Sequence, residues 1–241
     1  MEDYSPAEAA SALQWWIDAG VDMVAAEEPR DWLKPAPVPH PVKTKSMPAE
    51  PAAPAPEALP GQLDLFQAYL RDGAALPFAS PSAPNVCPSG DPASGLMVMT
   101  GMPSAADCAS GTLLSGEEGT LFDRMLAAMG RSRESIYLAA ISCFRSPDGR
   151  LAGAAEKQCA LIARHHIGLA APRALILFGD DAGRALTGLP AARARGRWHE
   201  IETHAGPVPA IVTFSPRFLL AHPAQKALAW ADLQMVMERL K

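Results

Sequence analysis

Four short apolar runs, each separated from the next by enough chain to cross back over a sheet, constrain this sequence more than any other feature. They are 96–100 (LMVMT), 136–141 (IYLAAI), 174–178 (ALILF) and 210–213 (AIVT). A strand with one wet face alternates apolar and polar residues, whereas a strand covered on both faces reads as an unbroken apolar run. Parallel neighbours need a crossover of about a dozen residues or more, usually a helix. Helical patterns fill the gaps. Segment 117–129 sets Leu121, Phe122, Met125, Leu126 and Met129 on one face and ends at Gly130; 154–169 is a second long helix; a shorter one runs to Leu186, and a last one spans about 224–240. The expected fold is α/β: a three-layer α/β/α sandwich around a four-stranded parallel sheet. A short helix is expected at 63–71, and 77–92, 142–150 and the arginine-rich 188–206 read as loops.

The chain ahead of this body is different in kind. Residues 1–60 hold ten acidic and four basic side chains, so the whole-chain charge of −5 hides a nearly neutral remainder. Segment 6–19 reads as a helix, with Ser5 as cap, Pro6 at its first position and Leu13, Trp16 and Ile17 on one face. Trp15, Trp16 and Trp32 anchor it to the main body or dock a protein partner. Nine of the 24 prolines fall in 35–60, mixed with alanine, which suits an extended linker. The division is therefore 1–34 helical segment, 35–60 linker and 61–241 folded domain. No stretch approaches the ~18 uninterrupted apolar residues of a membrane span, and MEDYSPAEAA lacks the basic-then-apolar order of a secretory signal. A cytoplasmic protein is expected, with Cys87, Cys108, Cys143 and Cys159 as free thiols.

In an open parallel sheet, ligands bind beyond the carboxyl ends of the strands. Phe214-Ser215-Pro216-Arg217 stands at such an end, before the helix that leads through His222-Pro223. Gly179-Asp180-Asp181 lies at another, but it lacks a G-x-G-x-x-G order or a P-loop lysine and its carboxylates repel phosphate, so it reads as a structural turn. Arg193, Arg195 and Arg197, followed by Trp198 and His199, suit a phosphate backbone or stacked base, or form a solvated loop. His165 and His166 have no acidic or cysteine partner at ligand spacing and read as packing or surface residues.

Taken in order, the segments 96–103, GTLFDRMLAAMG (119–130), SIYLAAISCFRSP (135–147), 159–172, RGRW (195–198), 212–223 and WADL (230–233) resemble the uracil-DNA glycosylase superfamily. They look closest to its family-four and family-five enzymes and their alphaproteobacterial relatives. The resemblance implies a base extruded from DNA into a pocket at the strand ends, and cleavage of its N-glycosidic bond. It also marks where this chain departs. The family's first motif is approximately Gly-Glu-Ala-Pro-Gly; here Thr100-Gly101-Met102-Pro103-Ser104 puts Gly101 in the carboxylate's place. The stacking phenylalanine falls at Leu114, the uracil-reading asparagine at Ala140, and the histidine of the last motif at Ser215. Arg145, Pro147, Cys159, Pro216 and Leu219-Leu220 match. Of the iron–sulfur ligands that some members carry, only Cys159 is matched; Cys143 is offset by one and the N-terminal C-x-x-C is missing, so no cluster is expected.

Excision makes the departing uracil anionic and the sugar cationic, which calls for donors on one side and a carboxylate or polarised water on the other. Exchange of four such residues on an intact framework implies a DNA-binding homologue, single-stranded DNA included, with weak or lost glycosylase activity. The alternatives are an active N-glycosylase that uses Asp107, Ser215 or Arg217, and a non-catalytic interaction scaffold. Arg193, Arg195, Arg197, Pro216 and Arg217 are the expected nucleic-acid contacts.

Overall fold

The computed structural model describes residues 59–241. The helix expected at 6–19, its tryptophans and all but the last two residues of the expected linker lie outside the described residues.

Continuous apolar runs become strands at the centre of the molecule. Strands β2 (Leu96–Thr100), β3 (Tyr137–Ala140), β4 (Ala174–Phe178) and β6 (Gly206–Thr213) run parallel in the order β3-β2-β4-β6. Every residue of β2, β3 and β4 is buried. Side chains alternate between two cores. Met97, Met99, Leu175, Leu177, Ala210 and Val212 face one, together with Cys159, Ala163 and Ile167 of α4 (Gly153–Ala170) and Ala182 and Leu186 of α5 (Gly179–Thr187). Leu96, Val98, Ile176, Phe178 and Ile211 face the other, with Phe122 and Leu126 of α3 (Gly116–Ala128) and Leu233 and Val236 of α8 (Lys226–Leu240). These are the three layers expected. Helix α1 (Leu63–Asp72) packs Phe66 and Leu70 against Ile162 of α4 in a smaller cluster.

The sheet has six strands rather than four. A two-residue β1 (Ser89–Gly90) pairs antiparallel with β3 at one edge. At the other, β5 (Trp198–Thr203) pairs antiparallel with β6, inside the segment expected to be a loop. That segment also holds the short α6 (Ala191–Ala194). Strand β5 is an edge strand in which Ile201 alone is buried, so it has no apolar run to reveal it. Strand β6 also begins four residues earlier than expected. Pro207 and Pro209 are tolerated there because pairing with β4 starts only at Ala210, and proline's missing N–H faces no partner before it. Two further helices were not foreseen at these bounds: α2 (Ala105–Ser110) and α7 (Pro216–Ala221).

His165 and His166 serve packing, as expected. His166 is buried and lies 2.8 Å from the Tyr137 hydroxyl, which Gln67 Nε2 also reaches at 2.9 Å. With Gln67 donating, the Tyr137 hydrogen goes to His166 Nε2. His165 reaches the Pro60 carbonyl and stacks on His204. No helix among the described residues is long and apolar enough to cross a membrane.

Candidate active site

A cavity of about 190 Å³ opens at the carboxyl ends of β2, β4 and β6. Its walls come from chain that has just left each strand, which is why residues distant in sequence converge there. Thr100, Gly101 and Met102 arrive from β2, Phe178 to Asp181 from β4 into α5, and Ser215 and Arg217 from β6 into α7. Asp107, Leu114 and Glu118 close it from α2, the following loop and α3.

Each expected pocket residue can now be placed. Gly101, Met102, Leu114, Ser215 and Arg217 all line the cavity. Ala140 does not. It ends β3, beside Thr100 in register, and lines a separate small hollow with Leu70, Cys143 and His166. Ser215 is the cap of α7: its Oγ accepts from Phe218 N at 3.3 Å, and Pro216 is buried at the first helical position. Arg217 projects at the mouth and bonds Glu118 Oε1 through Nε at 2.7 Å. Arg145 braces the β2 exit loop from outside, donating Nη1 to the Pro103 carbonyl.

Leu114 is held in an unusual way. Its φ is +51°, in the left-handed region that a branched side chain disfavours. Arg133 fixes this turn by donating Nη1 to the Leu113 carbonyl at 2.8 Å and Nη2 to the Leu114 carbonyl at 2.6 Å. Gly119 makes room for it, because a Cβ there would run into the Leu114 carbonyl oxygen. We expect Gly119→Ala to destabilise the domain by about 1–3 kcal/mol, as overpacking does. Helix propensity alone predicts the opposite sign, by about 1 kcal/mol. A urea midpoint that rises in the alanine variant would refute the contact.

Four carboxylates surround the cavity, and they differ. Asp107 is buried and satisfied: Oδ2 accepts from Ser104 N, closing a capping box on α2, and Oδ1 accepts from Ser115 N and Oγ. Asp180 accepts from Ala191 N at 2.8 Å. Glu118 pairs with Arg217, and Asp181 with Arg184. The segment Gly179-Asp180-Asp181, expected to be a turn, is the first turn of α5 and part of the cavity wall. Two acids in a first turn suit the positive end of a helix.

The expected nucleic-acid arginines divide. Arg193 and Arg197 are exposed, away from the cavity lining. Arg195 is committed inward. It donates Nε and Nη2 to the two carboxylate oxygens of Asp232 at 3.1 and 3.0 Å, and Nη2 also to the Leu228 carbonyl. RGRW and WADL, two of the framework segments, are thus partners in one buried ion pair.

All four cysteines are free thiols. Burial pushes Cys143 up to about 12, with Cys87 and Cys159 adding to the rise, and burial pushes Cys159 up to about 11. Burial raises Cys108 as well, with Arg145 opposing the rise and Asp107 adding to it. Against this geometry, residues 87–234 match the family model of the uracil DNA glycosylase superfamily, and the chain belongs to that superfamily.

Proposed function

We propose that this protein is of the family-four and family-five type and binds DNA, single-stranded DNA included, taking a flipped base into the cavity at the strand ends. In this reading it serves base-excision repair with weak or lost uracil excision, and without an iron–sulfur cluster. The observation that carries the reading is the lining itself. The cavity lies at the strand ends and is lined by Gly101, Leu114 and Ser215; the resemblance assigns those three positions to a carboxylate, an aromatic ring and a histidine around an extruded base. Leucine packs against a ring but offers no π-face, and serine donates one neutral hydrogen bond without carrying charge. Loss of one such donor costs about 10²–10³ in rate.

The test is single-turnover release from a single-stranded oligonucleotide with one deoxyuridine, protein in excess, beside a binding titration against salt. We expect binding with release far slower than in superfamily members that keep the histidine and carboxylate. Arg217→Ala should weaken binding and flatten the slope of log K against log salt by about 0.7, the share of one phosphate contact on a single strand. Prompt and complete release would overturn the loss of activity, and an unchanged slope would move the DNA contact elsewhere.

A further inference from the structure

Gly101 directly follows β2 with no side chain, and the space beside it is filled from another strand–helix unit. A Cβ on Gly101 would lie 2.8 Å from Asp181 Cβ and 3.0 Å from Asp181 Oδ2. The backbone of Gly101 is not left-handed, so Asp181 is what opposes a side chain at this position. Asp181 reaches the cavity from the first turn of α5 and is half-buried. Its Oδ1 is tethered by Arg184 Nη2 at 3.0 Å, one helical turn on. Among the described residues, no donor occupies Oδ2, the oxygen that lies over Gly101. The other carboxylates are placed differently: Asp107 has both oxygens engaged, Glu118 holds Arg217, and Asp180 is exposed.

We propose that Asp181 is the working carboxylate of this cavity, doing from α5 what a side chain at position 101 would do from β2. The inference rests on the reading that the cavity takes a flipped base. Asp181 Oδ2 holds a water and accepts its proton as the water oxygen bonds to the anomeric carbon. The carbon–nitrogen bond breaks, its electron pair leaves with the base nitrogen, and solvent protonates that nitrogen. Free base and an abasic sugar result, with no oxidant or reductant. Arg184 keeps the carboxylate aligned by its other oxygen. Ser215 gives the departing base only a neutral donor, so the step is slow but not absent.

The experiment is extended single-turnover release from the deoxyuridine oligonucleotide, with affinity for the same oligonucleotide measured in parallel. Asp181→Asn keeps the bulk and loses the proton acceptor. It should bind as before and release base about a hundredfold more slowly, the lower end of what a positioned proton acceptor contributes. Gly101→Glu alone should lower the unfolding midpoint through its collision with Asp181. The double variant Gly101→Glu with Asp181→Ala removes the collision and returns a carboxylate from β2, so midpoint and release should both recover, which a merely structural Asp181 would not produce. Release by Asp181→Asn at the wild-type rate would overturn the assignment. So would wild-type release no faster than the protein-free control; the affinity measurement would then show separately whether the base-binding reading stands.

Discussion

Replacing Asp232 by alanine is expected to cost the domain about 3–5 kcal/mol, the loss that follows when one partner of a buried ion pair is removed. Asp232 on α8 has no solvent exposure. Burial pushes its carboxyl upward, and Thr213, Arg195 and Gly196 oppose that rise. Thr213 Oγ1 donates to Oδ2 at 2.7 Å, Gly196 N to Oδ1 at 3.0 Å, and Arg195 spans both oxygens. The cluster joins α8, the end of β6 and the entry to β5, and the Arg195 guanidinium also lies 5.5 Å from the Phe214 ring centre. Without Asp232, that guanidinium is left over an apolar face with Leu228 O as its remaining partner. Urea unfolding should show the loss as a lower midpoint. The double variant Asp232→Ala with Arg195→Met should lose less than Asp232→Ala alone, since no stranded charge remains. Equal losses would mean that the pair, rather than the uncompensated arginine, sets the cost. By contrast, Glu118→Gln breaks a pair whose arginine is mostly exposed and should cost less than about 1 kcal/mol. The same geometry bears on DNA binding: weakened binding by Arg195→Ala would report a loosened fold, so Arg197 and Arg217 are the informative replacements.

A second large effect is expected on acidification. His166 is fully buried, and its imidazole is pushed down to about 3, first by burial and then by the charge of neighbouring His165. The folded value lies below the unfolded one of about 6.5. The unfolded chain therefore binds a proton that the folded chain refuses, and stability is complete above about pH 6.5 and lost as pH falls toward 3. The slope from this one residue is about 1.4 kcal/mol per pH unit within that window. A protonated His166 would also turn its accepting Nε2 into a donor against the Tyr137 hydroxyl, which already receives Gln67. His166→Gln retains an acceptor for Tyr137 and cannot titrate. Urea midpoints measured from pH 7 to pH 4 should fall less steeply in the variant than in the wild type; parallel curves would exclude His166 as the source. Carboxylates contribute to both proteins alike and cancel in the comparison.

The sequence by itself determined the layers and much of the site's address. Strands β2, β3, β4 and the end of β6 were legible because helices cover both faces of the sheet, and burial on both faces writes an unbroken apolar run. Gly101, Met102, Leu114 and Ser215 were grouped through the family resemblance, and Arg217, expected as a nucleic-acid contact at the end of the last strand, lines the same cavity. Strand β5 escaped, since an edge strand needs apolar residues on one side at most. Helix α2 escaped because it is one and a half turns of small and polar residues; the Ser104–Asp107 capping box was its one signal. Ala140 was grouped with the cavity because strand order cannot tell which wall a side chain joins. The tertiary structure alone decided which charges meet. Arg195 reads as a free cation until Asp232 is seen beneath it, and Asp181 reads as a turn residue until it is seen over Gly101. In both cases the deciding quantity is a contact between separate strand–helix units. Such a contact depends on how helices pack across the sheet, and local spacing carries no record of it.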